Sequence, residues 1–170
     1  MKKILIVVPI VFSCILVVSC LKDIPNTDFS GIQPIIIIPN ANRPSNLEVS
    51  TTTYTQAEGN KEVQVYARVS WEKTLDHDLI VTFIKDQAAI DDYNTQFSQN
   101  FVMLSDAGYS MSSLQVTIPA HKQEAYIPIT IKPDQVATSG NYMLAFTITD
   151  AQGQNIASNF KTIVWPIEVQ

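Results

Sequence analysis

The chain has 170 residues, 46% of them apolar and only 16% charged, with 11 Lys and Arg against 16 Asp and Glu for a net charge of -5. That is enough chain for one packed domain, too apolar for general disorder and too short for separate cofactor and substrate lobes. The acidic balance argues against a nucleic-acid partner, because such a binder must replace condensed counterions with Lys and Arg.

Residues 1–19 read as a signal peptide. Lys2 and Lys3 form a basic start, and Ile4 to Val18 is almost wholly apolar, broken by Pro9 and Ser13. The run is short for a stable membrane span and has the make-up of an export leader; an uncleaved anchor is the alternative. It ends Val17-Val18-Ser19-Cys20, and a small residue before a Cys at this point resembles the lipobox of bacterial lipoproteins. The resemblance implies lipidation of Cys20 after cleavage before it. Two or three acyl chains, at about 0.8 kcal/mol per buried methylene, are enough for stable attachment to a bilayer. Cys14 would leave with the leader and Cys20 would be consumed by lipid, so no disulfide is expected and stability must come from packing.

Residues 20–33 are polar and without period, with Pro25, Asn26, Asp28, Ser30 and Gly31, and read as a flexible tether. Lys22-Asp23 resembles the charged surface-export signals of Bacteroidetes lipoproteins. Residues 34–170 are expected to form the domain proper. Ile35 to Ile38 is a β-branched strand held between Pro34 and Pro39; left open at a sheet edge, it could accept a partner strand. Leu47, Val49, Thr51 and Thr53 make a weak strand. Val63, Val65, Ala67, Val69 and Trp71 alternate with polar residues as a half-buried strand, and Leu79, Val81 and Phe83 form the next. Asp86 can cap a helix over 87–97 whose face is Ile90, Tyr93, Asn94 and Phe97, expected to cover one open end of the fold. Strands follow at Leu114–Ile118, at Ala125–Ile131 with Pro128 favouring an edge or bulge, at Tyr142–Ile148 and at Ile163–Val169. The expectation is an all-β, immunoglobulin-like β-sandwich of seven or eight strands with one short crossover helix.

Several signals recur in a fixed order: Ala88-Ala89-Ile90-Asp91-Asp92-Tyr93-Asn94, then Phe101-Val102-Met103-Leu104, Gly108-Tyr109-Ser110, Val116-Thr117-Ile118-Pro119-Ala120, the strand Tyr142 to Thr149, and Thr162-Ile163-Val164-Trp165-Pro166-Ile167. Over residues 35–169 this order resembles the domain of unknown function 1735 family, the N-terminal module of many Bacteroidetes surface lipoproteins. Two positions depart from it. His121 stands where a Gly is usual, so the turn is expected to be less strained or differently shaped, and Ala145 stands where a Pro is common. The resemblance implies a module that precedes glycan-binding or glycoside-hydrolysing domains, with such a domain expected to be absent from this polypeptide.

Catalytic constellations are thin. Asp76-His77-Asp78 is expected to be a solvated turn, with His121 in a second one, and there is no zinc-protease, EF-hand or phosphate-loop spacing. Asp91 and Asp92 point about 100° apart on a helix and cannot flank one glycosidic bond. No Ser lies in Gly-x-Ser-x-Gly. Asp150 to Asn155 could hold calcium but is equally explained as a turn on Asp150 and Gly153. Trp71 and Trp165 are in phase with core residues. The polar-phase aromatics Tyr66 and Tyr126, with Tyr109 in a loop, are the candidate ligand-binding residues, because an exposed ring stacks on a sugar face or anchors a protein contact. No catalytic residue, metal ligand or cofactor is expected. The expected function is a lipid-anchored module of the outer membrane, facing the cell surface or else the periplasm, that binds glycans or scaffolds another envelope protein. The rivals are an adhesin- or pilus-like spacer and, last, a small hydrolase.

Overall fold

The computed structural model describes residues 33–170. The signal peptide, Cys20 and nearly all of the tether therefore lie outside the described residues. In chain order the elements are β1 (Ile35–Ile37), β2 (Thr52–Tyr54), β3 (Lys61–Ser70), β4 (Leu79–Lys85), α1 (Gln87–Phe97), β5 (Val102–Met103), β6 (Tyr109–Met111), β7 (Gln115–Ile118), β8 (Glu124–Ile131), a 3-10 turn at Pro133–Gln135, β9 (Gly140–Asp150), β10 (Asn155–Ile156) and β11 (Thr162–Val169). The first sheet runs β10-β1-β3-β8-β6. The second runs β2-β11-β9-β4-β7, with β5 added to the flank of β9.

The two sheets form a β-sandwich, and alternation explains its core. Val65, Ala67 and Val69 of β3 and Ile127, Ile129 and Ile131 of β8 meet Val81 and Phe83 of β4, Leu144 and Phe146 of β9, and Ile163 and Ile167 of β11. The seven or eight strands expected from alternation become eleven, because β5, β6 and β10 have only two or three residues each and so show no period. Of the weak member over Leu47–Thr53 only the end survives, as β2; Leu47 is 77% exposed.

β1 is not an open edge. β3 pairs one side of it and β10 the other, Ala157 N donates to Ile36 O (3.1 Å), and Ile38 N donates to Phe160 O (2.7 Å). The strands that do end the sheets, β10, β6, β2 and β7, have two to four residues, which leaves little ladder for another chain to join. Both strand prolines fall where no donor is needed. Lys132 N donates toward β6 (Gly108 O, 2.8 Å), so Pro128, four residues earlier, turns its nitrogen to the same side, just past the last β6 pair at Met111 and Ile129. Pro128 thus sits in an interior strand at a place where its neighbour has already ended. Pro166 faces the β2 side of β11, one residue before the β2 register begins at Ile167.

α1 has the expected bounds and the expected cap, Asp86 Oδ1 accepting from Ala89 N (3.1 Å). Its position is different. It covers the outer face of the second sheet, not an end of the sandwich: Ile90, Tyr93 and Phe101 pack on Met143 and Ala145 of β9 and Val164 of β11. The cause is that β9 is apolar in both phases, buried without interruption from Met143 to Ile148. Its outward residues therefore need a cover of their own.

Three side chains stand in for missing strands. Asn42 Nδ2 donates to Val164 O and Asn42 Oδ1 accepts from Val164 N, both at 2.8 Å. Asn94 holds Phe101 in the same way (2.7 and 2.9 Å). The Tyr93 hydroxyl accepts from Val49 N (3.0 Å) and donates to Val49 O (3.2 Å). His121 has a left-handed backbone, φ 62°, the conformation that favours Gly, and His121 N donates to Leu75 O (2.8 Å). Asn42→Ala leaves the N–H of fully buried Val164 without a partner and is expected to cost about 2 kcal/mol. Urea unfolding should show a lower midpoint at an unchanged slope.

Candidate functional site

With α1 over the second sheet, the outer face of the first sheet is where polar-phase residues meet solvent. Antiparallel pairing of β3 and β8 sets Tyr66 directly opposite Tyr126, Arg68 opposite Glu124 and Gln64 opposite Pro128. Directly opposed residues share a face, so these six side chains form one patch. The tyrosine rings lie 5.4 Å apart, tilted at 47°, and so present a shallow V. Tyr66 is half-buried and its hydroxyl donates to Gln64 Oε1; Tyr126 is 48% exposed. Arg68 Nε lies 2.9 Å from Glu124 Oε2 but off the line of its N–H, so the contact is ionic and not a directed hydrogen bond. A depression of about 310 Å³ beside the rings is lined by Pro39, Asn40, Tyr66, Arg68 and Glu124.

This patch combines an aromatic surface, on which the C–H face of a pyranose can pack, with guanidinium, carboxylate and amide groups that donate to and accept from hydroxyls. Arg68, Glu124 and Asn40 escaped the sequence reading. The signal existed: Arg68 is two residues after Tyr66 and Glu124 two before Tyr126, on the same outward phase, but their meeting depends on register.

Tyr109 is not part of this patch. It lies in β6, not in a loop, and is 5% exposed. A Cβ on Gly108 would come 2.8 Å from Leu104 Cδ1, so this strand docks closely because Gly precedes the ring. The Tyr109 hydroxyl donates to Asp106 Oδ1 (3.1 Å), and Lys85 Nζ sits 5.2 Å from the ring centre and 2.5 Å from Asp106 Oδ1. Hydrogen bonds from Lys85 and then Tyr109 hold the Asp106 carboxyl below the usual carboxylate range; Asp106 in turn raises Lys85. Burial pushes the Tyr109 phenol up.

The remaining candidates separate. His77 Nδ1 contacts Asp76 Oδ1 (2.7 Å) and, through that bond, lowers the Asp76 carboxyl, while Asp78 accepts from Ala120 N (2.8 Å). Among the described residues no three or more His, Cys, Asp or Glu side chains are placed to hold a metal ion. Asp91 and Asp92 are exposed on α1, Asp91 accepting from Gln87. Residues 150–155 form a turn with Gln152 and Gly153 at φ 50° and 82°, and Asp150 Oδ2 accepts from Gln152 N (3.4 Å). Trp71 and Trp165 are half-buried against the core. No helix among the described residues is long and apolar enough to cross a membrane.

The family model described as "-like, N-terminal domain" matches residues 31–155, well over half of the chain. The chain belongs to this N-terminal-domain family. Among solved structures, a multidomain protein including DUF1735 from Bacteroides ovatus is similar at a TM-score of 0.56 and 15% identity, covering 80% of this chain and 44% of that one. The fold and this neighbour agree with a module of the domain of unknown function 1735 type. A candidate carbohydrate binding protein from Bacteroides ovatus is similar at a TM-score of 0.60 and 14% identity, covering 79% and 36%. EndoBT-3987 of Bacteroides thetaiotaomicron, solved with a Man5GlcNAc product, is similar at 0.57 and 13%, covering 70% and 28%. The chain thus spans less than half the length of each of these proteins, and at such identities the likeness is one of fold. No curated protein matches the chain. For this family member, titrating the Asp106 carboxyl by NMR should give a midpoint below the ordinary value of about 3.9. Lys85→Met should move it up, because the Lys85 hydrogen bond that does most to hold the carboxylate ionised is then gone.

Proposed function

We propose that this member of the N-terminal-domain family is a non-catalytic glycan-binding module, held at the outer surface of the outer membrane by lipid on Cys20. The observation that carries the binding half is the Tyr66–Tyr126 pair beside the Arg68–Glu124 ion pair on the outer face of the first sheet. An aromatic surface with polar groups at its margin is how a protein grips a molecule that is apolar on the faces of its rings and polar at their edges. Support also comes from the shared fold of the Bacteroides ovatus candidate carbohydrate binding protein and of EndoBT-3987. The anchoring half is supported by the leader ending at Ser19-Cys20 and by the affinity that two or three acyl chains provide. The partners of this reading are a bilayer and a glycan.

Two measurements test it. On a broad glycan panel the full chain should retain at least one glycan, and Tyr126→Ala should lower its affinity about tenfold, or about 1.4 kcal/mol. The melting temperature should stay within a degree or two, because Tyr126 is solvent-facing. Retention of no glycan, or an unchanged affinity in Tyr126→Ala, would refute the binding half. For the anchor, Cys20→Ala should move the protein from the membrane fraction to the soluble fraction and abolish labelling by a fatty-acid analogue; persistence of either signal would refute it.

A further inference from the structure

The tyrosine patch does not stop at Arg68. We propose that it continues along the first sheet to Trp71 as one groove, and that the groove takes an extended, uncharged oligosaccharide and not a single sugar; this rests on the glycan-binding reading above.

Three depressions in succession carry the inference. Arg68 lines both the depression at Tyr66 and a second of about 340 Å³, whose other walls are Val69, Ser70, Trp71 and Gln123. Trp71 lines that one and a third of about 580 Å³, which extends past Pro34, Lys73 and Thr74 to Gln154. Tyr66 and Trp71 are five residues apart, about 16 Å at the rise of a strand, which exceeds one sugar ring and suits a short chain. β3 ends at Ser70, so Trp71 leaves the strict alternation that would have turned it wholly into the core, and it remains half-buried at the head of the groove. The indole packs against the core cluster on one side, which holds it as a wall and leaves its exposed part for contact.

The polar groups between the two aromatic ends are amides, a hydroxyl and the Arg68–Glu124 ion pair. Gln123 Nε2 donates to Trp71 O at 3.3 Å, a long bond that a ligand hydroxyl can replace. Lys73 lies 3.9 Å from Glu72, a loose contact. Arg68 and Lys73 are matched in number by Glu124 and Asp76 along the groove. This balance suits a chain of neutral sugars, since a polyanion needs an excess of cations.

The experiment takes the neutral glycan that the full chain retains on the panel and cuts it to disaccharide and hexasaccharide. Calorimetry with the full chain should show the hexasaccharide binding at least tenfold tighter than the disaccharide. Trp71→Ala should remove that gain while leaving disaccharide affinity as it was. The hexasaccharide should also shift tryptophan emission in the parent protein but not in Trp71→Phe, in which Trp165 is the remaining indole; this second variant keeps an aromatic ring in place should the alanine form fail to fold. Equal affinity for both lengths, a gain that survives in Trp71→Ala, or a panel that retains only anionic glycans would overturn the groove, yet leave the Tyr126-dependent reading standing. Retention of no glycan at all would overturn both.

Discussion

β9 carries apolar side chains on both of its faces. In a two-layered sandwich one face of each sheet is enough to build the core, and a second apolar face must be covered or left in water at about 25 cal/mol for every Å². Met143, Ala145 and Val164 form such a strip, and α1 is its cover. The cover is tied down at its start by Asp86, whose Oδ1 caps the helix while its Oδ2 accepts from the Thr147 hydroxyl (2.6 Å), itself 2.8 Å from Thr162 Oγ1. One carboxylate thus satisfies the helix terminus and joins it to two strands. The consequence is an asymmetry within the second sheet: its outer face is covered by α1 over β9 and β11, whereas the outward residues of β4, Ile80 and Ile84, remain exposed.

Backbone groups in the irregular segments, and those of β11 on the side that β2 does not reach, need partners from elsewhere. Asn42, Tyr93 and Asn94 supply them, each holding both the N–H and the C=O of a single residue. Arg43 completes the same region. It is 8% exposed, its guanidinium carbon stands 5.4 and 5.5 Å from the ring centres of Tyr93 and Phe97, and it donates to Ser45 O and Gln96 Oε1. Aromatic faces and neutral acceptors here do what a carboxylate does in most buried pairs. The Tyr93-Asn94 pair, a prominent part of the family resemblance, is therefore explained by docking of the helix and needs no ligand.

The parts of this fold that can be read along the chain are those governed by local period. The alternation of Val63 to Val69 and of Ala125 to Ile131, and the 3.6-residue spacing behind the Asp86 cap, appear where the chain places them. What fails is what depends on distant segments. The seat of α1 was hidden because reading β9 by Leu144, Phe146 and Ile148 passes over Met143 and Ala145, which are equally apolar in the other phase. Tyr109 looked like a loop aromatic because β6 is three residues long; only the close approach of Gly108 to Leu104 shows the strand docking. At His121 the left-handed backbone is signalled only weakly by residue type, since His adopts it less readily than the Gly usual there. The candidate site was half legible: Tyr66 and Tyr126 stand out by phase, but that they face each other, with Arg68 beside them, follows from a β3–β8 register that no single strand encodes.

An opposed aromatic pair is worth about 0.2–1 kcal/mol to a sheet, so exposure of two rings does not by itself separate fold from binding. The distribution of their contacts does. Tyr66 is spent on the protein, half-buried with its hydroxyl committed to Gln64, whereas Tyr126 stands nearly half in solvent and its hydroxyl bonds to none of the described residues. Arg68 divides likewise, its Nε against Glu124 and its terminal nitrogens unspent on the described residues. In each pair one group is fixed by the sheet and the other is held by it while keeping a free surface. A ring with two rotatable bonds, already braced by its neighbour, loses little entropy when a ligand arrives. This division, more than the count of aromatics, is what the proposed binding role of the outer face of the first sheet rests on.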